Sequence, residues 1–86
     1  MANNFLIFDE NNQNSMSDSD YANNSQRQDG FVSGVARSDL FNKSLRQSTV
    51  IASAIGQILS DKGYTVSDTT DFNTLVGYIK TVFNIS

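Results

Sequence analysis

The side chains able to do chemistry in this chain are few, and their spacing serves none of the common reactions. His and Cys are both absent. That removes the commonest general base, the strongest side-chain nucleophile and the usual N/S ligand sets of zinc. Lys43-Ser44 and the Ser60/Lys62 pair are the available Ser–Lys proximities. Residues one or two apart on a helix do not face each other, so neither makes a dyad. The carboxylate pairs Asp9-Glu10 and Asp18/Asp20 lie in a polar stretch with no apolar pocket to raise a pKa. Asp18-Ser19-Asp20 has the alternation of a calcium loop, but the Gly at the sixth position and the Glu at the twelfth are missing. Helix-start or turn chemistry explains these acids better. There is no Gly-rich phosphate loop. The expectation is therefore a protein that is not an enzyme, carries no catalytic residue, cofactor or metal, and works by binding.

Charge narrows the partners. Over 86 residues the formal net charge is −3. Asp9, Glu10, Asp18, Asp20 and Asp29 outnumber Arg27 and Arg37 before residue 38, and acids and bases balance after it. Without a basic stripe, nucleic-acid binding is not expected. No apolar run reaches membrane-spanning length, Met1–Asn4 lacks a basic leader, and Phe5–Phe8 is too short for a signal core. The Asn-x-Ser triplets at Asn23, Asn42 and Asn84 are accordingly read as chance. The cations Arg27, Arg37, Lys43 and Arg46 gather around residues 27–46. They are expected either to be solvated or to fix register, with Arg37 and Arg46 pairing with carboxylates of the preceding segment. Such pairs contribute roughly 0–1 kcal/mol each.

The elements that would position these groups divide at residue 38. Phe5-Leu6-Ile7-Phe8 is a short apolar, aromatic run suited to an extended segment. Residues 9–30 are rich in Asn, Ser, Gln and Asp, a turn-forming composition that in isolation reads as disorder. Met16 and Tyr21 are its large apolar groups and would pin it to a neighbour. Phe31–Arg37 reads as a connector with a turn at Gly34. Ser38 makes a helix N-cap, and a helix is predicted over about 39–62, ending at Gly63. A second is predicted over about 70–84, capped from within Ser67–Thr70, with Gly77 permitting close helix approach.

In the first helix, Phe41, Leu45, Ala52, Ile55 and Leu59 form one seam, and Leu40, Ile51, Ala54 and Ile58 an adjacent one. The second helix carries Phe72, Leu75, Val76, Ile79, Val82 and Phe83 on one stripe. A short link makes such helices antiparallel neighbours. The predicted fold is mainly α: an extended arm over 1–37, then an antiparallel two-helix hairpin over 38–86, completed as a trimeric helical bundle. Leu45, Leu59, Phe72, Leu75, Val76, Ile79 and Phe83 would form the hairpin core. Leu40, Ile51, Ile55 and Ile58 would meet other copies, Ile at such positions being compatible with trimers. Phe5, Leu6, Ile7 and Phe8, with Tyr21, would anchor the arm on a partner. Only about 50 residues are left to build a core, and units of that size without disulfides or metal usually need partner chains.

The string Met16-Ser17-Asp18-Ser19-Asp20-Tyr21-Ala22, then Ser25-Gln26-Arg27 and Gly30-Phe31-Val32-Ser33-Gly34-Val35-Ala36, resembles the N-terminal module of bacteriophage tail-fibre and related appendage proteins. The likeness continues through Leu40, Asn42-Lys43, Arg46-Gln47, Ala54 and Lys62-Gly63-Tyr64-Thr65-Val66-Ser67-Asp68. It implies a virion structural protein, assembled in the host cytoplasm, trimeric, and fastening a head or tail fibre to the particle. Its partners would be capsid, neck or tail proteins and other fibre subunits. Longer relatives continue into a shaft and a receptor-binding tip, so this string corresponds to the attachment piece. The rival expectations are a capsid decoration or stabilising protein and a small regulatory binding module.

Overall fold

The computed structural model describes residues 2–31 and 37–84. The connector expected across 32–36, with its turn at Gly34, lies outside the described residues. The chain is mainly α, with helices α1 (Asp18–Ala22), α2 (Ser25–Asp29), α3 (Ser38–Asp61) and α4 (Phe72–Phe83). No strand forms among the described residues, but an isolated parallel bridge joins Asn3 to Val66. Two compact units result, one from residues 1–7 and 49–86, the other from residues 8–48. The N-terminal half of α3 belongs to the second and its C-terminal half to the first.

In the 8–48 unit, the polar stretch is more ordered than its composition suggests, because its small polar side chains close helix ends. Ser17 caps α1 by accepting from the Asp20 amide, and Asn24 caps α2 by accepting from the Arg27 amide. Asp18 and Asp20 occupy the first turn of α1, where acids favour the helix dipole. The Arg27 guanidinium and the Gln28 amide then donate to the Tyr21 and Ala22 carbonyls at the end of α1. Each helix is too short to persist alone. What secures the pair is the start of α3: Met16 is buried and its amide donates to the Asp39 carbonyl. The Tyr21 hydroxyl meets Ser44 at 3.1 Å. Phe31 stacks on Phe41 with ring centroids 4.8 Å apart.

Helix α3 begins one residue earlier than the capping pattern suggests. The Arg37 carbonyl accepts from the Phe41 amide, which places Ser38 in the first turn. Its C-terminus falls where Gly63 predicts. Gly63 has φ +103°, its amide donates to the Ser60 carbonyl, and the Tyr64 amide donates to Leu59. This reciprocal pair is the Schellman closure, which requires the left-handed conformation that glycine adopts without a Cβ penalty.

In the unit of residues 1–7 and 49–86, α4 starts later than the Ser/Thr run suggests. Ser67 and Thr70 bond each other across their own turn, with the Ser67 amide donating to Thr70 Oγ1 and the Thr70 amide to the Ser67 carbonyl. Asp71 is left as the cap, its carboxylate accepting from the Thr74 amide at 3.1 Å. Tyr64 stacks on Tyr78 with centroids 4.0 Å apart, tying the link after α3 to α4. The fully buried side chains here are Leu59 and Val66. Gly77 is exposed, and a Cβ there would meet nothing within 4 Å, so no close approach occurs at it.

Candidate functional site

The arm docks on its own unit as an extended segment. Asn3, Phe5 and Ile7 are half-buried while Ala2, Asn4 and Leu6 are exposed, the alternation of a strand with one face covered. The Asn4 amide donates to the Val66 carbonyl and the Val66 amide to the Ala2 carbonyl, both at 2.9 Å. The Ala2 amide reaches Thr65 Oγ1 at 3.2 Å. These bonds explain why Val66, in a polar link, is fully buried.

The side chain that fixes the register is Asn3. Its Nδ2 donates to the Ser53 carbonyl on α3 at 2.8 Å, and its Oδ1 accepts from the Phe5 amide at 3.1 Å. The seat for this amide is Gly56, one turn along from Ser53. A Cβ at Gly56 would overlap Asn3 Oδ1 and stand 2.8 Å from Asn3 Cγ and 3.1 Å from the Phe5 ring. Phe5 in turn forms one wall of an apolar groove of about 180 Å³, completed by Ala52, Ile55, Gly56 and Leu59 of α3 and Leu75 and Ile79 of α4.

The residues expected to meet partners fall into two groups. Phe5 and Ile7 face the arm's own unit, whereas Leu6 is 72% exposed and Phe8 is also exposed. Tyr21 is half-buried, its hydroxyl on Ser44 and its ring under the Arg27 guanidinium at 5.8 Å, a cation–π contact within its own unit. Among the residues expected to meet other copies, Leu40 is buried in the 8–48 unit and Ile55 lines the groove. Ile51, 63% exposed, and Ile58, also exposed, share the face carrying exposed Ala54. Among the residues expected in the hairpin core, Leu59 is buried and Leu75, Val76 and Ile79 are half-buried. Leu45, Phe72 and Phe83 are exposed, Phe72 to 75%. No residue of α4 is fully buried.

The charged groups serve the 8–48 unit. Lys43 buries its stem, leaving 7% of the residue exposed, and its ammonium contacts the Asp18 carboxylate. That hydrogen bond, then the charge of Lys43, holds the Asp18 pKa below its ordinary value. Asp18 is thereby committed to an ammonium partner, and no group of three or more possible metal ligands occurs among the described residues. Asp9, at φ +51°, accepts from the Ser15 hydroxyl and from the Gln13 and Asn14 amides. The Ser15 bond leads in holding its carboxyl low, partial burial opposes it, and the two amides and the nearby Arg46 charge add to it. Arg46 Nε donates to the Asp9 carbonyl at 3.0 Å. Arg37 pairs in a fork with Asp39, in the first turn of α3, and not with a carboxylate of the preceding segment.

No protein-family model matches the chain, and neither a curated relative nor a solved structure matches it. No described helix is long and apolar enough to cross a membrane.

Sequence reasoning did not single out Asn3, Ser53, Gly56 or Val66. The available signal was Gly56 itself, a costly residue in mid-helix on the half-apolar side of α3. A glycine there indicates that something approaches the helix backbone closely.

Proposed function

We propose that this chain is a small self-assembling structural protein of a bacteriophage particle, a short fibre or fibre-attachment component, and not an enzyme. The observation that carries the self-assembly is the poverty of the core. Among the described residues Met16, Leu40, Leu59 and Val66 are the buried apolar side chains, while Ile51, Ile58, Phe72 and Phe83 are among the large ones left exposed. Fully burying one such side chain stabilises by about 1.5–3 kcal/mol, so covering this set on association is a substantial driving force. The Ile51/Ala54/Ile58 face of α3 is the self-association surface, and antiparallel packing of α3 and α4 within a trimeric bundle is the arrangement proposed. The appendage-like string supports the virion setting, and the exposed apolar surface of Leu6 and Phe8 would grip a capsid, neck or tail protein.

Analytical ultracentrifugation of the purified full chain tests the assembly. A trimer at micromolar concentration is expected, with Ile51→Lys/Ile58→Lys returning it to monomer while helical circular dichroism is retained. A wild-type chain that remains monomeric at that concentration overturns the reading. Recruitment to particles is the test of location: a Leu6→Ser/Phe8→Ser variant is expected to fold and fail to incorporate, and full incorporation refutes the anchor.

A further inference from the structure

We infer that the α3 helices of neighbouring copies pack parallel and in register through the Ile51/Ala54/Ile58 face, with Asp61 of one copy paired to Lys62 of the next. This rests on the self-association proposed above and adds to it the direction of the helices and the pair that sets their level. Ile51, Ala54 and Ile58 are exposed, and the stripe continues to Asp61 at intervals of three, four and three residues. That spacing is the 3.5-residue repeat of a helix whose stripe is covered by another helix. Ala54, between the two isoleucines, carries no bulk to hold a second helix away.

The charges at the end of the stripe indicate which helix covers it. With about 100° between successive residues, Asp61 and Lys62 fall on opposite sides of the line through Ile58, about 60° and 40° from it. Both are exposed. Gln57 Nε2 donates to Asp61 Oδ1 at 2.9 Å, which steadies the carboxylate on its own flank, and a carboxylate accepts further donors. Lys62 enters no ion pair among the described residues. An acid and a base adjacent on one helix do not face each other. They do meet when identical helices stand side by side in the same direction, because one flank of each copy then lies against the opposite flank of the next. Repeated around a closed ring, every copy presents one acid and one base to its neighbours. An antiparallel neighbour would instead set Ile51 against Ile58 and leave Lys62 without an acid at its level. Asp61 also runs against its own helix. It is the last residue of α3, the final turn carries no base, and a carboxylate at that end is disfavoured by the helix dipole. A charge that weakens its own helix at an exposed position is accounted for by a cation outside the chain.

Sedimentation equilibrium of the full chain at low salt tests the pairing with three variants. Asp61→Lys and Lys62→Asp each set like charges at every contact and are expected to weaken association about tenfold, three exposed pairs being lost per trimer. Asp61→Lys/Lys62→Asp keeps the net charge and exchanges the flanks, so association is expected to return to within about threefold of the natural chain. In dilute samples, where copies are apart, Asp61→Lys is expected to raise the melting temperature by removing the acid from the helix C-terminus. Weaker association with a more stable fold is not an outcome that unfolding produces. Direction is read by disulfide trapping, since the chain has no cysteine. Ile51→Cys and Ile58→Cys chains are each expected to give a linked homodimer on oxidation, whereas antiparallel helices would link only the mixture of the two. A natural chain that associates while neither reversal weakens it, or a double exchange that fails to restore association, overturns the pairing and leaves self-association standing. Linkage confined to the mixture overturns the parallel direction. A natural chain that stays monomeric overturns both readings. The charge variants keep Ile51 and Ile58, so they decide the question even where a cysteine there weakens assembly.

Discussion

Among the described residues Gly56 and Gly77 lie inside helices, and the structure assigns opposite signs to their replacement by alanine. Intrinsic propensity favours both substitutions, because glycine in a helix interior costs about 0.8–1 kcal/mol relative to alanine. At Gly77 nothing lies within 4 Å of the new Cβ, so that gain is realised in full. At Gly56 the same methyl must displace the Asn3 carboxamide, which is short and held at both ends. Its departure forfeits two hydrogen bonds of about 1 kcal/mol each and loosens the main-chain bridge to Val66, for roughly another 1 kcal/mol. Against the propensity gain, Gly56→Ala is expected to destabilise by about 2 kcal/mol and Gly77→Ala to stabilise by nearly 1 kcal/mol. At the usual sensitivity of 4–8 °C per kcal/mol for a domain of this size, the two melting temperatures should separate by more than about 10 °C. Circular dichroism melts of the full chain read this directly. An Asn3→Ala background supplies the control: with the carboxamide gone, Gly56→Ala should become neutral or stabilising, which makes the pair strongly coupled in a double-mutant cycle. If Gly56→Ala raises the melting temperature as Gly77→Ala does, the arm is not seated on α3 and the site described above does not exist.

Two further outcomes follow from the buried side chains and the carboxylates. Leu59→Ala removes a side chain with no exposed surface from the rim of an already underfilled groove, so little can collapse into the space. A loss of about 3 kcal/mol or more is expected by urea unfolding, and a loss below 1 kcal/mol would refute its burial. Asp9 and Asp18 have folded-state pKa values below the ordinary 3.8. A depressed carboxyl contributes stability that is present above the unfolded value and disappears as pH falls through the folded one. The 8–48 unit should therefore hold constant stability above about pH 5 and weaken below pH 4. Asp9→Asn/Asp18→Asn should flatten that acid limb, and an unchanged limb in the double variant would show that neither carboxylate is engaged.

How far the fold was legible depends on whether a feature is local. The long α3 and its end at Gly63 follow from periodicity and one backbone conformation, and both are readable along the chain. The start of α4 misled by a few residues because Ser67 and Thr70 satisfy each other, a competition that composition does not reveal. The two helices at 18–29 escaped because five-residue helices carry no periodic stripe. Their signal was capping chemistry, Ser17 before Asp18 and Asn24 before Ser25, in a composition that otherwise resembles disorder. The arm's docking was the least legible feature. It joins residue 3 to residues 53, 56 and 66, and no local pattern encodes a contact across such a separation.

The contrast between the arm's two faces bears on what the chain is for. A segment serving only its own fold would present polar residues outward once Asn3, Phe5 and Ile7 were seated. This one places Leu6 outward, 72% exposed, between two half-buried apolar neighbours. On α3 the same doubling occurs: Leu59 is buried and Ile55 lines the groove, while Ile51 and Ile58 remain outside. Scattered exposed apolar residues are ordinary on a protein surface. Residues that are apolar on both sides of one extended segment, and on two adjacent faces of one helix, are not scattered. Each of these elements has one side committed to folding and another exposed, and the exposed side is the surface that the proposed assembly would use.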